Sequence, residues 1–329
     1  MTEKYKIGII GLGYVGFPLA CLFAKKYNVV GYDIKESRIN EINQGIDSTN
    51  EVAPDALKNA LMNGMKCTND LNDLKSCNVY IVAIPTPVDD FHNPELVPLK
   101  NASKIVGQVI SKGDYVIYES TVYPGVTEEI CSPILEEVSG LKLNEDFYIG
   151  YSPERINPGD KTHTVENIPK ITSGSTPEAA EVIDNLYNSV LLNGTHKAPS
   201  IKVAEAAKIL ENTQRDVNIA FMNEIAVVFN ALGIDTTDVL EAAELELGTQ
   251  RANGVAALID AIGPVTKDSK DKINAAQAAF DALSILAQSQ VSNAKILEQA
   301  KTRLQMLENS YLHAAFTYDE PTLDGRLYE

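Results

Sequence analysis

The stretch K-I-G-I-I-G-L-G-Y-V-G-F-P-L-A, Lys6 to Ala20, decides the fold. Lys6–Ile10 is a short β-rich apolar run of the kind that forms a strand buried on both faces. G-L-G-Y-V-G follows without a gap, and Phe17–Lys26 then takes a helical pattern. In a strand–turn–helix of this kind each glycine has its own task. Gly11 allows the tight turn, Gly13 lets the backbone approach a pyrophosphate, and Gly16 lets helix and sheet pack closely. The helix start offers free N–H groups and a positive dipole end to the phosphates, so Tyr14 and Val15 in the turn join the expected binding set. The second strand, Asn28–Asp33, ends on a carboxylate twenty residues past Gly13. An acid there accepts hydrogen bonds from the adenosine ribose and repels a 2′-phosphate, which favours NAD over NADP. Arg38 is close enough in sequence to bear on that choice and is included in the set.

Outward from this turn the alternation continues. Helical patterns cover Glu36–Gln44, Asn101–Ser111 and Thr127–Val138, and strands are expected at Val79–Pro85, Tyr115–Ser120 and Phe147–Tyr151. Continuous apolar strands separated by helices imply a parallel sheet covered on both faces, an α/β, doubly wound, Rossmann-like fold. Its ligand crevice lies at the carboxyl ends of the strands. V-A-I-P-T-P-V-D (Val82–Asp89) and Y-E-S-T-V-Y-P-G (Tyr118–Gly125) both fall at strand ends on that side, placing the hydroxyls of Thr86, Ser120 and Thr121 there. Turn formation and capping are competing uses for each hydroxyl. Y-S-P-E-R brings Glu154 and Arg155, either a surface ion pair or a recognition pair for a polar substrate.

Composition narrows the classes. The chain has 329 residues, 44% hydrophobic and 22% charged, with 28 Lys+Arg against 45 Asp+Glu and a net charge of −17. That is ordinary globular composition, and the negative charge argues against nucleic acid or an anionic membrane as the main partner. No apolar run reaches membrane-spanning length, and the start reads directly into a strand, so a cytoplasmic location is expected. Cys21, Cys67, Cys77 and Cys131 form no CxxC pair and read as reduced structural thiols. His92, His163, His196 and His313 share no metal-ligand spacing, so no metal site is expected.

From about Ile201 to Leu232 the chain has no Gly or Pro, and Val203, Ala207, Leu210, Val217, Phe221, Ile225 and Val228 mark an apolar stripe. A helix this long usually bridges domains or packs against a second copy of itself. Lys208 and Asn212 stand four residues apart and share one face. Read from the residues alone, they form a solvated polar face of an amphipathic helix, and a lysine there would act as a base only if partial burial or a cationic neighbour lowered its pKa.

Taken in order, GLGYVGFPLA (Gly11–Ala20), PTPVD (Pro85–Asp89), ESTVYPG (Glu119–Gly125), SPERINPG (Ser152–Gly159) and the helix AEAAKILENTQRDVNIAFMNE (Ala204–Glu224) resemble the UDP-glucose/GDP-mannose dehydrogenase family, nearest its UDP-N-acetylhexosamine branch. The resemblance runs from about Lys6 to about Ala243. It implies oxidation of a sugar's primary alcohol to a carboxylate, with two hydrides passed to two NAD molecules and a UDP-sugar as substrate. It also implies roles. Thr121 and Glu154 would position the hydrolytic water, Lys208 would stabilise alkoxide character or take the hydroxyl proton, and Asn212 would bind the oxyanion. Arg155 would join Glu154, Lys208 and Asn212 at the substrate, and the long central helix would form a homodimer core.

The last quarter departs from that family. Where a Gly-Gly-His-Cys-type loop with the nucleophilic cysteine would stand, Glu244–Gly254 reads E-L-E-L-G-T-Q-R-A-N-G, and no cysteine follows Cys131. A short helix to Ala243, capped at Asp235–Asp238, is followed by helical patterns at Val255–Ile262, Lys267–Ala287 and Ser292–Ser310, with Asp268 and Ser292 as N-caps. They suit a small all-α bundle. Their sequence is similar to three-helix repeats of bacterial surface proteins, which suggests a fusion. The expected organisation is a dinucleotide-binding domain over 1–175, a helical middle domain over 176–246, a three-helix module over 247–312 and an extended tail over 313–329. Two readings follow: an impaired nucleotide-sugar dehydrogenase, and a catalytically silent NAD-binding scaffold. A hydroxy-acid dehydrogenase on the same fold would make the later motifs coincidental.

Overall fold

The computed structural model describes residues 4–154, 165–283 and 285–317. Two compact units divide between Asn218 and Ile219, which differs from the expected boundaries near 175 and 246.

The first unit is a sheet with helices on both faces. In chain order it runs β1 (Lys6–Ile10), α1 (Gly16–Phe23), β2 (Asn28–Tyr32), α2 (Glu36–Asn43), α3 (Pro54–Met62), β3 (Lys66–Thr68), β4 (Val79–Val82), α4 (Val97–Gly107), β5 (Tyr115–Tyr118), α5 (Ser132–Ser139), β6 (Tyr148–Tyr151), β7 (Lys170–Gly174), α6 (Pro177–Asn188), β8 (Thr195–Lys197) and the start of α7 (Ile201–Ala231). The strands lie side by side in the order β3-β2-β1-β4-β5-β6-β7-β8. Pairing is parallel except between β6 and β7. The chain winds one way from β1 through β3 and the other way from β4 onward, so the switch point falls between β1 and β4. Apolar clusters fill both faces, one around Ile7, Phe17, Phe23 and Tyr187, the other around Tyr80, Tyr118, Phe147 and Tyr151.

The sheet continues past β6, the last strand expected from the sequence. β7 carries the polar run K-I-T-S-G, in which Lys170, Thr172 and Ser173 are all buried. Apolar periodicity cannot reveal such a strand. Its side chains are held by polar partners: Thr172 Oγ1 donates to Asp184, and Ser173 Oγ donates to the Tyr151 carbonyl. The Thr127–Val138 helix also differs, as a π-turn over Thr127–Cys131 leads into α5. Pro133, in the first turn of α5, supplies no backbone N–H, which accounts for the changed register.

The second unit is helical: the remainder of α7, then α8 (Thr236–Asp260), α9 (Lys270–Asp281), α10 (Ile285–Ser289) and α11 (Ala294–Thr317). Asp235 caps α8 by accepting from the Thr237 amide. α8 does not stop at Ala243 but runs on through Gly248 and Gly254 to Asp260, 25 residues in all. At Gly248 a side chain would come within 3.3 Å of the Ala287 Cβ, so this glycine admits the close approach of α10, and packing overrides weak propensity. Thr266, not Asp268, caps the 3-10 turn Lys267–Ser269 that leads into α9: its side chain and that of Ser269 form a reciprocal capping box. α11 begins at Ala294, two residues after the expected Ser292 cap, and it runs through Thr317 where an extended tail from His313 was expected. Residues 318–329 lie outside the described residues. Ile259, Ile262, Ile273, Leu297 and several alanines form this unit's core.

Candidate active site

The β1–β4 switch point is where the glycine turn sits. Gly11 has φ +94°, a left-handed conformation, and a side chain on it would come 2.7 Å from the Ala83 carbonyl oxygen after β4. A Cβ on Gly16 would lie 1.9 Å from the Gly11 carbonyl oxygen. At Gly13 nothing lies within 4 Å. Two of the three glycines are therefore required by close packing, and the third leaves its backbone open to a ligand.

Asp33 stands just past β2 with both carboxylate oxygens fixed by backbone. Oδ2 accepts from the Leu12 amide inside the glycine turn, and Oδ1 accepts from the Lys35 amide, both at 2.9 Å. One side chain thus ties the first and second strand ends together and aims its carboxylate at their shared crevice. Arg38 takes no part in that crevice, contrary to expectation. Its Nε donates to the Leu12 carbonyl at 2.8 Å, its other nitrogens pair with Glu41 and Asp47, and it lies over the Phe17 ring at 4.7 Å. Pairing with those two carboxylates holds the guanidinium buried beneath α2.

Two cavities open here. One of about 440 Å³ lies beside Asp33 and is walled by Ile34, Ile84, Val97, Pro98 and Ile105. The other, about 570 Å³, runs from Gly11, Gly13, Tyr14, Val15 and Asp33 past Ile84 and Thr86 to Glu119, Ser120, Thr121 and Glu154. An apolar slot, a carboxylate at a strand end, an open glycine backbone and a polar far wall match an adenine, a ribose, a pyrophosphate and a reactive ring in turn. The residues present therefore fit a dinucleotide.

Not every expected hydroxyl is free for one. Ser120 Oγ donates to the Ile84 carbonyl at 2.6 Å, and Thr86 Oγ1 donates to the Thr121 carbonyl at 2.6 Å, so these two hydroxyls lock adjacent strand-end loops together. Arg155 lies outside the described residues. Lys208, in the third turn of α7, is buried, and burial holds its ammonium below the usual lysine range against the opposing charges of Glu211 and Glu154. Asn212, one turn on, is exposed, and neither side chain is among those lining the cavity. The face they share thus holds one buried and one exposed side chain.

Three residues that tie this arrangement together were not singled out from the sequence, although two of them lie within the quoted motifs. Glu205, fully buried on α7, accepts from the Gly125 amide at 2.6 Å and the Thr127 amide at 3.0 Å, anchoring the helix to the Y-P-G turn. Glu119, at the end of an otherwise apolar strand, pairs with Lys170 at 2.6 Å. A carboxylate closing Y-V-I-Y and another three residues before Lys208 were the available signals. The four cysteines are all buried, and burial raises their thiols to about 12 (Cys21, Cys67) and about 11 (Cys77, Cys131), far from thiolate chemistry at neutral pH.

This geometry defines a dinucleotide-binding oxidoreductase architecture. Residues 5–191 match the NAD binding domain of the UDP-glucose/GDP-mannose dehydrogenase family, residues 202–256 match that family's central domain, and the chain belongs to this family. It is 60% identical over 241 residues to the UDP-N-acetyl-D-glucosamine 6-dehydrogenase of Pseudomonas aeruginosa, covering 73% of this chain and 57% of that protein. To the enzyme of the same name from Salmonella typhi it is 55% identical, over 73% of this chain and 56% of that protein. Among solved structures it is similar to the UDP-D-ManNAc dehydrogenase of Pyrococcus horikoshii, with a TM-score of 0.68 and 36% identity over 72% of this chain and 57% of that one. The chain therefore spans somewhat more than half the length of these relatives. No described helix is long and apolar enough to cross a membrane.

Proposed function

We propose that this chain binds NAD and a UDP-N-acetylhexosamine and performs the first oxidation at the sugar's primary alcohol, toward a uronate used as a polysaccharide precursor. The observation that carries this reading is the continuous cavity from Gly13 and Asp33 to Thr121 and Glu154. NAD, when bound, accepts the hydride. Asp33 holds the ribose, and the open Gly13 backbone receives the pyrophosphate. Lys208, its charged form disfavoured by burial and its charge coupled to that of Glu154 on the cavity's far wall, takes the hydroxyl proton. Thr121 and Glu154 hold the water-positioning place of the family's hydrolytic step, which this chain does not reach. Arg155, by its place beside Glu154, contributes to substrate recognition.

The second oxidation stalls in this reading, because none of the four cysteines offers a thiolate for a covalent intermediate. The bundle after residue 256 lies outside both family matches, which supports treating it as a separate, fused module. Leu210 and Val217 on α7 are 72% and 59% exposed, and burying them against a second copy would make a homodimer through this helix. Reduced, buried thiols suit the cytoplasm.

The test is calorimetry with NAD, followed by absorbance of NADH with UDP-N-acetylglucosamine, UDP-N-acetylgalactosamine and UDP-N-acetylmannosamine. The expected outcome is NAD binding, at most a single hydride per site and no uronate. Quantitative uronate would refute the stalled step. NAD binding with no NADH from any sugar would favour the silent scaffold.

A further inference from the structure

Glu119 and Glu154 both line the far end of the dinucleotide cavity, and burial raises Glu119 while Lys170's charge opposes and Glu154's adds to that rise. Lys170 is 2% exposed and comes from β7, a strand outside every motif quoted above. Its Nζ donates to Glu119 Oε2 at 2.6 Å and to the Pro153 carbonyl, the residue before Glu154, at 3.3 Å. Tyr187 on α6 donates from its hydroxyl to Glu119 Oε1, and its ring lies 5.5 Å from Lys170 Nζ. Among the described residues, the other ionisable groups facing Glu119 are Glu154 and Tyr151 from the end of β6. A buried lysine of this kind answers a charge and fixes a backbone at once.

We propose that Lys170 is a positioning residue of the nicotinamide end of the site, cancelling the charge of Glu119 at the cavity wall and tying that carboxylate to the Pro153–Glu154 backbone. This rests on the reading that the dinucleotide lies with its reactive ring toward Thr121 and Glu154. NAD+ carries a cationic ring there and NADH a neutral one, so the charge on this pair sets the preference between the two forms. Removing Lys170 leaves a carboxylate that favours NAD+. Removing the Glu119 charge leaves an ammonium that favours NADH. A pair with only a structural role would weaken both forms together in both variants.

The experiment measures Kd for NAD+ and for NADH between about pH 5 and 9, the range in which buried carboxyls titrate. In Lys170→Met the ratio of the two constants moves toward NAD+ by about tenfold as pH rises and Glu119 ionises. In Glu119→Gln it moves the opposite way. Lys170→Arg stays near the unmodified chain, and the double variant Glu119→Gln/Lys170→Met, which removes both members of the pair, loses the pH step that Lys170→Met shows and covers the case in which Lys170→Met fails to fold. Shifts of the same sign in both single variants, a flat ratio in Lys170→Met, or a double variant that keeps the pH step of Lys170→Met would overturn the proposal while leaving NAD binding intact. An unmodified chain that binds neither form overturns both this proposal and the reading beneath it.

Discussion

The two units of this chain solve the problem of a core differently. In the sheet unit the fully buried side chains are large, among them Tyr80, Tyr118, Tyr151, Tyr187, Phe17 and Phe147, and charged groups are buried with them as pairs. In the helical unit the core is Ile, Leu and Val interleaved with Ala252, Ala276 and Ala300, and its ion pairs lie at the surface. Aromatic rings and buried polar pairs specify a single geometry, whereas small aliphatic contacts between helices tolerate sliding and substitution. The chemistry-bearing residues sit where geometry is specified: the glycine turn, Asp33, Glu119 and Glu154 all belong to the sheet unit.

The comparison breaks first at the glycine turn. Gly16→Val would set a side chain against the Gly11 carbonyl, and the expected result is loss of NAD binding in calorimetry together with a sharp fall in melting temperature. Retained binding would mean that the turn does not need its close packing. Next, Phe147→Ala in the sheet core should cost about 3–5 kcal/mol in denaturant unfolding, and Leu297→Ala in the helical core about 2 kcal/mol, near the lower end for such truncations. Equal losses would remove the distinction drawn between the two cores. Asp33→Ala should weaken NAD about ten- to a hundredfold, the worth of one or two hydrogen bonds to a charged acceptor, with a smaller effect on stability.

The smallest effect is a pH dependence. Burial raises Asp114, ahead of β5, to about 6 from the usual value near 3.8, so the fold favours its neutral form. Stability from this group is fully present below the unfolded value and is lost as pH rises through about 6. Asp114→Asn keeps an acceptor for the Ser111 amide. It should match the parent at low pH and exceed it above pH 6 by about 1 kcal/mol, after allowance for solvent screening, in thermal melts across that range.

Much of the sheet unit was legible because its signals are local. Strand, glycine turn and helix are neighbours in sequence, and the periods of Lys6–Ile10 and Tyr115–Tyr118 follow from burial on both faces. Asp33 was legible for the same reason, since its distance from Gly13 is set by one strand–helix–strand repeat. β7 was not legible, because its buried residues are polar and their partners, Asp184 and Glu119, arrive from distant segments. Nor was the course of α8 through two glycines, which depends on what packs against Gly248. Arg38 shows the limit most clearly: its nearness to Asp33 was visible, but its direction was decided by Glu41, Asp47 and the Phe17 ring. The amino-acid order determined which backbone turns are possible and where hydroxyls and carboxylates cluster along the chain. Tertiary structure alone decided which of those charges are paired, since pairing energy depends on distances between residues far apart in sequence and on the water removed from between them.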